Sequence, residues 1–144
     1  MKKIMLVGEW KSGKSTLIRC LSDGEYRPRK VLALDYHGRF INTPSEFLEN
    51  RRFYPSLITA SADCGALLFV QAADRSTSQL PPQFASMFNR VVLGVVTRID
   101  LPGARVDLAR RFLENAGVRR ILEVSAVTGA GLAELKTALG ELPA

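Results

Sequence analysis

The chain reads as a single α/β domain, 1–144, with a mostly parallel six-stranded sheet between two layers of helices. Three observations predict this. Short runs that are apolar on both faces, such as Ile4-Met5-Leu6-Val7 and Val91-Val92-Leu93-Gly94-Val95-Val96, alternate with stretches of helical spacing. Strands of that kind belong to a parallel sheet covered on both sides. The length of 144 residues suits one domain and buries a full core without disulfides or structural metal, and no repeat, low-complexity tract or linker divides it.

The elements follow in order. Ile4–Val7 is the first strand, and a glycine-containing loop leads into a helix from about Ser15 to Ser22. Val31–Tyr36 and Phe40-Ile41 read as two further strands. Pro44 breaks the chain, and a helix is expected from the late 40s to about Ala62. Ala66–Val70 is a continuous apolar strand, and Pro81-Pro82 precede a short helix around Phe84–Phe88. After the strand 91–96, Leu108, Phe112, Leu113 and Ala116 have helical spacing, with Gly117 at the expected C-terminal cap. Ile121–Val124 is the last strand, and Leu132, Leu135, Leu139 and Leu142 form one stripe of a final helix.

Composition narrows the functional classes. Cys20 and Cys64 have no metal-ligand spacing and read as reduced thiols, and the single histidine, His37, excludes a histidine-rich metal site. No apolar run approaches the roughly 20 residues of a membrane span, so the expected location is cytoplasmic, with no membrane partner. The net charge of +6 favours anionic partners. Aromatic and basic residues are not interleaved, which argues against a dedicated nucleic-acid function.

The chemistry-bearing motif is Gly8-Glu9-Trp10-Lys11-Ser12-Gly13-Lys14-Ser15, followed by Thr16, which fits G-x-x-x-x-G-K-[ST] without mismatch. Gly8 and Gly13 let the backbone curl so that successive N–H groups face phosphate oxygens. The following helix presents its positive end to the same anion. Lys14 neutralises the β- and γ-phosphates, and Ser15 offers a hydroxyl to Mg²⁺. Chance produces this pattern in roughly 1% of chains this long, and here it also follows a strand and opens a helix.

Two later loops address the base. Thr97-Arg98-Ile99-Asp100 and Ser125-Ala126 follow the last two strands, at the places where GTPases carry [NT]-K-x-D and S-A-x. Asp100 can accept two hydrogen bonds from the guanine ring N–H and exocyclic amine, a donor pair adenine lacks. The Ala126 N–H can bind the guanine carbonyl, and Arg98 can cover the base face by stacking. Asp100 on its own also fits a helix N-terminal carboxylate; two matching loops favour guanine. The expected ligands are therefore GTP or GDP with Mg²⁺.

The whole chain resembles the small P-loop proteins of ethanolamine and propanediol utilisation, the EutP/PduV family. The resemblance rests on the phosphate loop and on Ile41-Asn42-Thr43-Pro44-Ser45-Glu46-Phe47, similar to the family's I-D-T-P-G-E-Y. It extends to Arg52-Phe53-Tyr54, Leu57-Ile58-Thr59, Leu80-Pro81 and Thr97-Arg98-Ile99-Asp100-Leu101-Pro102. It implies a Ras-like P-loop NTPase fold and a protein partner in the shell or cargo of a bacterial microcompartment. Family members are also described as possible acetate kinases, which makes a phosphotransferase using ATP or acetyl phosphate the alternative.

Departures from the GTPase pattern predict slow hydrolysis. D-x-x-G becomes Asn42 to Ser45, and Glu46 replaces the water-positioning glutamine; with Lys14, Glu46 is the candidate catalytic residue. No threonine lies between Leu17 and Ile41 to serve as a switch ligand. Trp10 either packs on a neighbouring loop or intrudes on the γ-phosphate space. Phosphoryl transfer depends on positioning and electrostatics, so these changes together point to a nucleotide-binding module rather than a fast enzyme.

Overall fold

The computed structural model describes residues 3–9, 11–22, 24, 26–27 and 33–142. The strands are β1 (Lys3–Val7), β2 (Asp35–His37), β3 (Phe40–Asn42), β4 (Cys64–Ala72), β5 (Val91–Thr97) and β6 (Arg120–Glu123). The helices are α1 (Lys14–Leu21), α2 (Ser45–Glu49), α3 (Tyr54–Ser61), α4 (Val106–Asn115) and α5 (Leu132–Gly140). The sheet order is β2-β3-β1-β4-β5-β6. Only the edge pair β2–β3 is antiparallel. This is the expected mostly parallel six-stranded sheet.

Strand alternation feeds two cores. Met5, Val7, Leu67, Phe69 and Val96 pack on the side of α2, α3 and α4 with Leu48, Leu57 and Leu113. Ile4, Leu6, Leu68, Val70 and Val95 face Leu17, Ile18, Leu135 and Leu139 of α1 and α5. Successive residues of each inner strand thus bury on opposite faces, which is why these runs carry no polar alternation.

The caps explain several boundaries. Gly117, at φ 92°, ends α4: its N–H donates to Glu114 O, and the Val118 N–H donates to Leu113 O. Those two bonds form a Schellman motif, as the glycine predicted. The helix expected from the late 40s to Ala62 is instead α2, a 3-10 turn at Arg51–Phe53, and α3. Asn50 breaks it: its backbone is extended, and its side chain accepts the Arg52 N–H at 3.1 Å. A short amide competes in this way with the helix ladder. The strand expected at Val31–Tyr36 is Asp35–His37, and Val31 and Leu32 lie outside the described residues.

Gly131 has a positional requirement that its neighbours do not share. It precedes α5 at φ 75°, and a Cβ there would lie 1.9 Å from Glu123 O. Gly131→Ala combines left-handed strain with a backbone clash. It is expected to destabilise the fold by about 2–4 kcal/mol, read as a lower urea midpoint at unchanged m-value.

Candidate functional site

The phosphate loop leaves the C-terminal end of β1, next to β4, where the chain order of the sheet reverses. Crevices at such points are the usual ligand sites of α/β sheets. A Cβ on Gly8 would lie 2.7 Å from Val70 O and from Ser12 Oγ, so only glycine lets the loop pass this close to β4. Lys11 (φ 62°) and Gly13 (φ 102°) adopt left-handed conformations, and the Ser12 N–H closes a turn onto Glu9 O at 3.1 Å. Trp10 lies outside the described residues.

Lys14 is buried inside this loop. Its ammonium donates to Gly8 O at 2.5 Å and to Glu9 O at 3.2 Å. Burial pulls its pKa down to about 8, against the opposing fields of Glu49, Glu9 and Glu46. Three carboxylates therefore act on the lysine that would meet the phosphates. Glu9, only 3% exposed, is raised above the usual carboxylate range by burial, although Arg75 pulls the other way. Arg75 Nη1 lies 3.7 Å from Glu9 Oε2, and Glu9 Oε1 has no hydrogen-bond partner among the described residues. The sequence reading missed Arg75, which follows β4 at the C-terminal edge of the parallel strands.

Ser15 lies in the first turn of α1 and joins a polar network. Asn42 Nδ2 donates to Ser15 Oγ at 2.9 Å and to the Tyr26 hydroxyl at 3.2 Å. The buried Asn42 Oδ1 has no hydrogen-bond partner among the described residues. Asn42 thus turns its amide nitrogen toward Ser15, and the Ser15 hydroxyl is the hard-oxygen donor that suits Mg²⁺ when phosphates supply the charge. Thr43 Oγ1 donates to Leu6 O at 2.7 Å and ties this segment to β1. Ser45 is buried and Glu46 half-buried in the first turn of α2.

The two loops expected to address a base, Thr97–Asp100 and Ser125-Ala126, meet. A cavity of about 290 Å³ is lined by Gly13, Thr16, Thr97, Arg98, Asp100 and Ala126, among others. Thr97 Oγ1 donates to Ser12 O at 2.5 Å, which locks this cavity to the phosphate loop. Ser125 Oγ donates to Asp100 Oδ1 at 2.8 Å and accepts the Thr128 N–H at 3.1 Å. Ser125 therefore orients Asp100, while the exposed Ala126 contributes to the cavity wall. A carboxylate has about four lone-pair sites, so the bond to Ser125 leaves acceptor capacity for a ligand. Arg98 is in a left-handed conformation (φ 60°), and its guanidinium lies 3.6 Å from Asp74 Oδ2. That pair anchors its charged head while the side chain still lines the cavity.

Other residues singled out in the sequence lie outside this site. Cys20 and Cys64 are free thiols, with Cys64 raised to about 11 mainly by burial. Among the described residues, no cluster of three or more His, Cys, Asp or Glu could hold a metal, and no helix is long and apolar enough to cross a membrane.

Comparison with known proteins gives one consistent family. A sequence model described as ethanolamine utilisation - propanediol utilisation matches residues 1–141. The chain is 33% identical over 136 residues to "Propanediol utilization protein PduV" of Citrobacter freundii, covering 94% of this chain and 91% of the relative. It is 34% identical over 122 residues to "Probable acetate kinase EutP" of Salmonella typhimurium (83% and 76% covered). The protein of the same name from Escherichia coli K12 is 31% identical over 119 residues (81% and 75%).

Proposed function

The chain belongs to the PduV-EutP family of ethanolamine and propanediol utilisation proteins, and on that premise we propose that it is a guanine-nucleotide-binding module with a Ras-like fold, serving a shell or cargo protein of a bacterial microcompartment. One observation carries the nucleotide reading: the bond from Thr97 to Ser12 O joins the Asp100 cavity to the phosphate loop. Phosphates would meet the N–H groups of 8–15 and the Lys14 ammonium. Ser15 would hold Mg²⁺, which would neutralise phosphate charge. Asp100, held by Ser125, would accept from guanine.

The same geometry supports slow turnover. Asn42 brings an amide rather than a carboxylate to Ser15. Glu9, Glu46 and Glu49 add negative charge around Lys14 where a γ-phosphate would add more. The isolated protein is expected to hydrolyse GTP on the order of 10⁻⁴ s⁻¹ or slower. A single-turnover rate of about 1 s⁻¹, thousands of times faster than intrinsic Ras, would contradict this. Calorimetry against GDP, GTP, ADP and ATP with Mg²⁺ tests the binding claim. An ATP preference with acetate-dependent ADP formation would instead favour the activity named for the enteric relatives.

A further inference from the structure

The turn that follows β4 reaches the wall of the Asp100 cavity. Ala73 is tied to the segment after β5 at both of its backbone groups. Its N–H donates to Thr97 O at 2.9 Å, and its carbonyl accepts the Arg105 N–H at 2.8 Å. The next residue, Asp74, is thereby held beside Arg98, with Oδ2 3.6 Å from the guanidinium. Arg98 lines the cavity together with Asp100. Its own backbone is left-handed (φ 60°), in a turn closed by the Leu101 N–H onto Arg98 O at 3.2 Å. Residues other than glycine persist in that conformation where their surroundings determine it.

An arginine side chain has large rotamer freedom, and a ligand that must immobilise it binds more weakly. A carboxylate that already holds the guanidinium removes part of that cost before the ligand arrives. At 3.6 Å the contact is an ion pair rather than a hydrogen bond. Both side chains are about one-third exposed, at 37% for Arg98 and 33% for Asp74, and pairs with that exposure add little to stability.

We propose that Asp74 is a positioning residue for base recognition, holding Arg98 at the wall of the Asp100 cavity ready to stack on the guanine face. Arg98 is the group that would touch the base, and Asp74 acts through it. The inference rests on the guanine reading given under Proposed function.

The sign of the effect separates positioning from simple electrostatics. Asp74 puts a negative charge beside the expected place of an anionic ligand. Charge alone would make its removal tighten nucleotide binding; positioning requires the removal to weaken it.

The test is a titration of the protein with fluorescent GDP in the presence of Mg²⁺. Asp74→Asn keeps the side-chain shape and removes the charge. It is expected to weaken GDP binding about fivefold, equivalent to ~1 kcal/mol. Arg98→Ala is expected to weaken it by at least as much, and adding Asp74→Asn to Arg98→Ala should cause no further loss. Urea melts confirm that each variant is folded, and Asp74→Ser carries the same test if Asp74→Asn does not fold. Unchanged or tighter GDP binding in Asp74→Asn overturns the inference. So does a further loss in the double variant, which marks a role independent of the arginine. Both results leave the nucleotide reading standing, because the unmodified protein still binds GDP. No GDP binding by the unmodified protein overturns that reading as well.

Discussion

Lys14→Met is expected to weaken triphosphate binding by about a hundredfold, ~2.7 kcal/mol, without unfolding the protein. The ammonium already lies inside the phosphate loop, against Gly8 O and Glu9 O, and bonds to charged groups are worth about 1.5–3 kcal/mol each. Folding should tolerate the change because the lysine's charge is unfavourable where it is: burial lowers its pKa from 10.5 to about 8. The charged form is therefore less favourable in the folded state than in the unfolded one. This cost is fully present below pH 8, so the stability of the unmodified protein should rise between about pH 8 and 10.5. Lys14→Met should lose this rise. Phosphate binding has the opposite dependence. An anion favours protonated Lys14, so affinity is full below pH 8 and falls as pH rises above it. Calorimetry at a series of pH values, with urea melts of both proteins, checks each part. Unchanged affinity in Lys14→Met would remove the phosphate-loop assignment.

The second large effect concerns the base. Guanine nucleotides are expected to bind at least about tenfold more tightly than adenine nucleotides, and Asp100→Asn is expected to abolish that preference. Asp100 lines the cavity, and Ser125 holds one of its oxygens at 2.8 Å. Asparagine can still bond Ser125 but replaces one carboxylate oxygen by an amide NH2, a donor, so it loses the paired acceptors that face the two guanine donors. Ser125→Ala should have a smaller effect in the same direction, because it loosens Asp100 without removing the carboxylate. Competition between GDP and ADP for each variant measures this. Equal affinities in the unmodified protein would refute the base assignment outright.

Much of this was legible because local chemistry dictates it. Gly8, Gly13, Lys14 and Ser15 form a contiguous motif, and a phosphate loop needs no distant residue to be recognised. The apolar runs predicted parallel strands because a strand buried on both faces has no room for polar alternation. Gly117 marked the end of α4, since a left-handed cap favours glycine. The break at Asn50 was not legible. Asparagine is tolerated within helices, and only its extended backbone and its bond to the Arg52 N–H turned it into a cap.

By itself, then, the sequence determined the α/β class, the family resemblance and the phosphate motif, because each is written in neighbouring residues or in simple periodicity. Tertiary structure decided which distant side chains share a site. It held Asp74 beside Arg98, brought Arg75 to Glu9, and set Ser125 against Asp100. None of these pairs has a characteristic spacing along the chain. Hydrogen bonds and ion pairs act over about 3–4 Å in space, and only the packed sheet brings residues 9 and 75, or 100 and 125, within that reach.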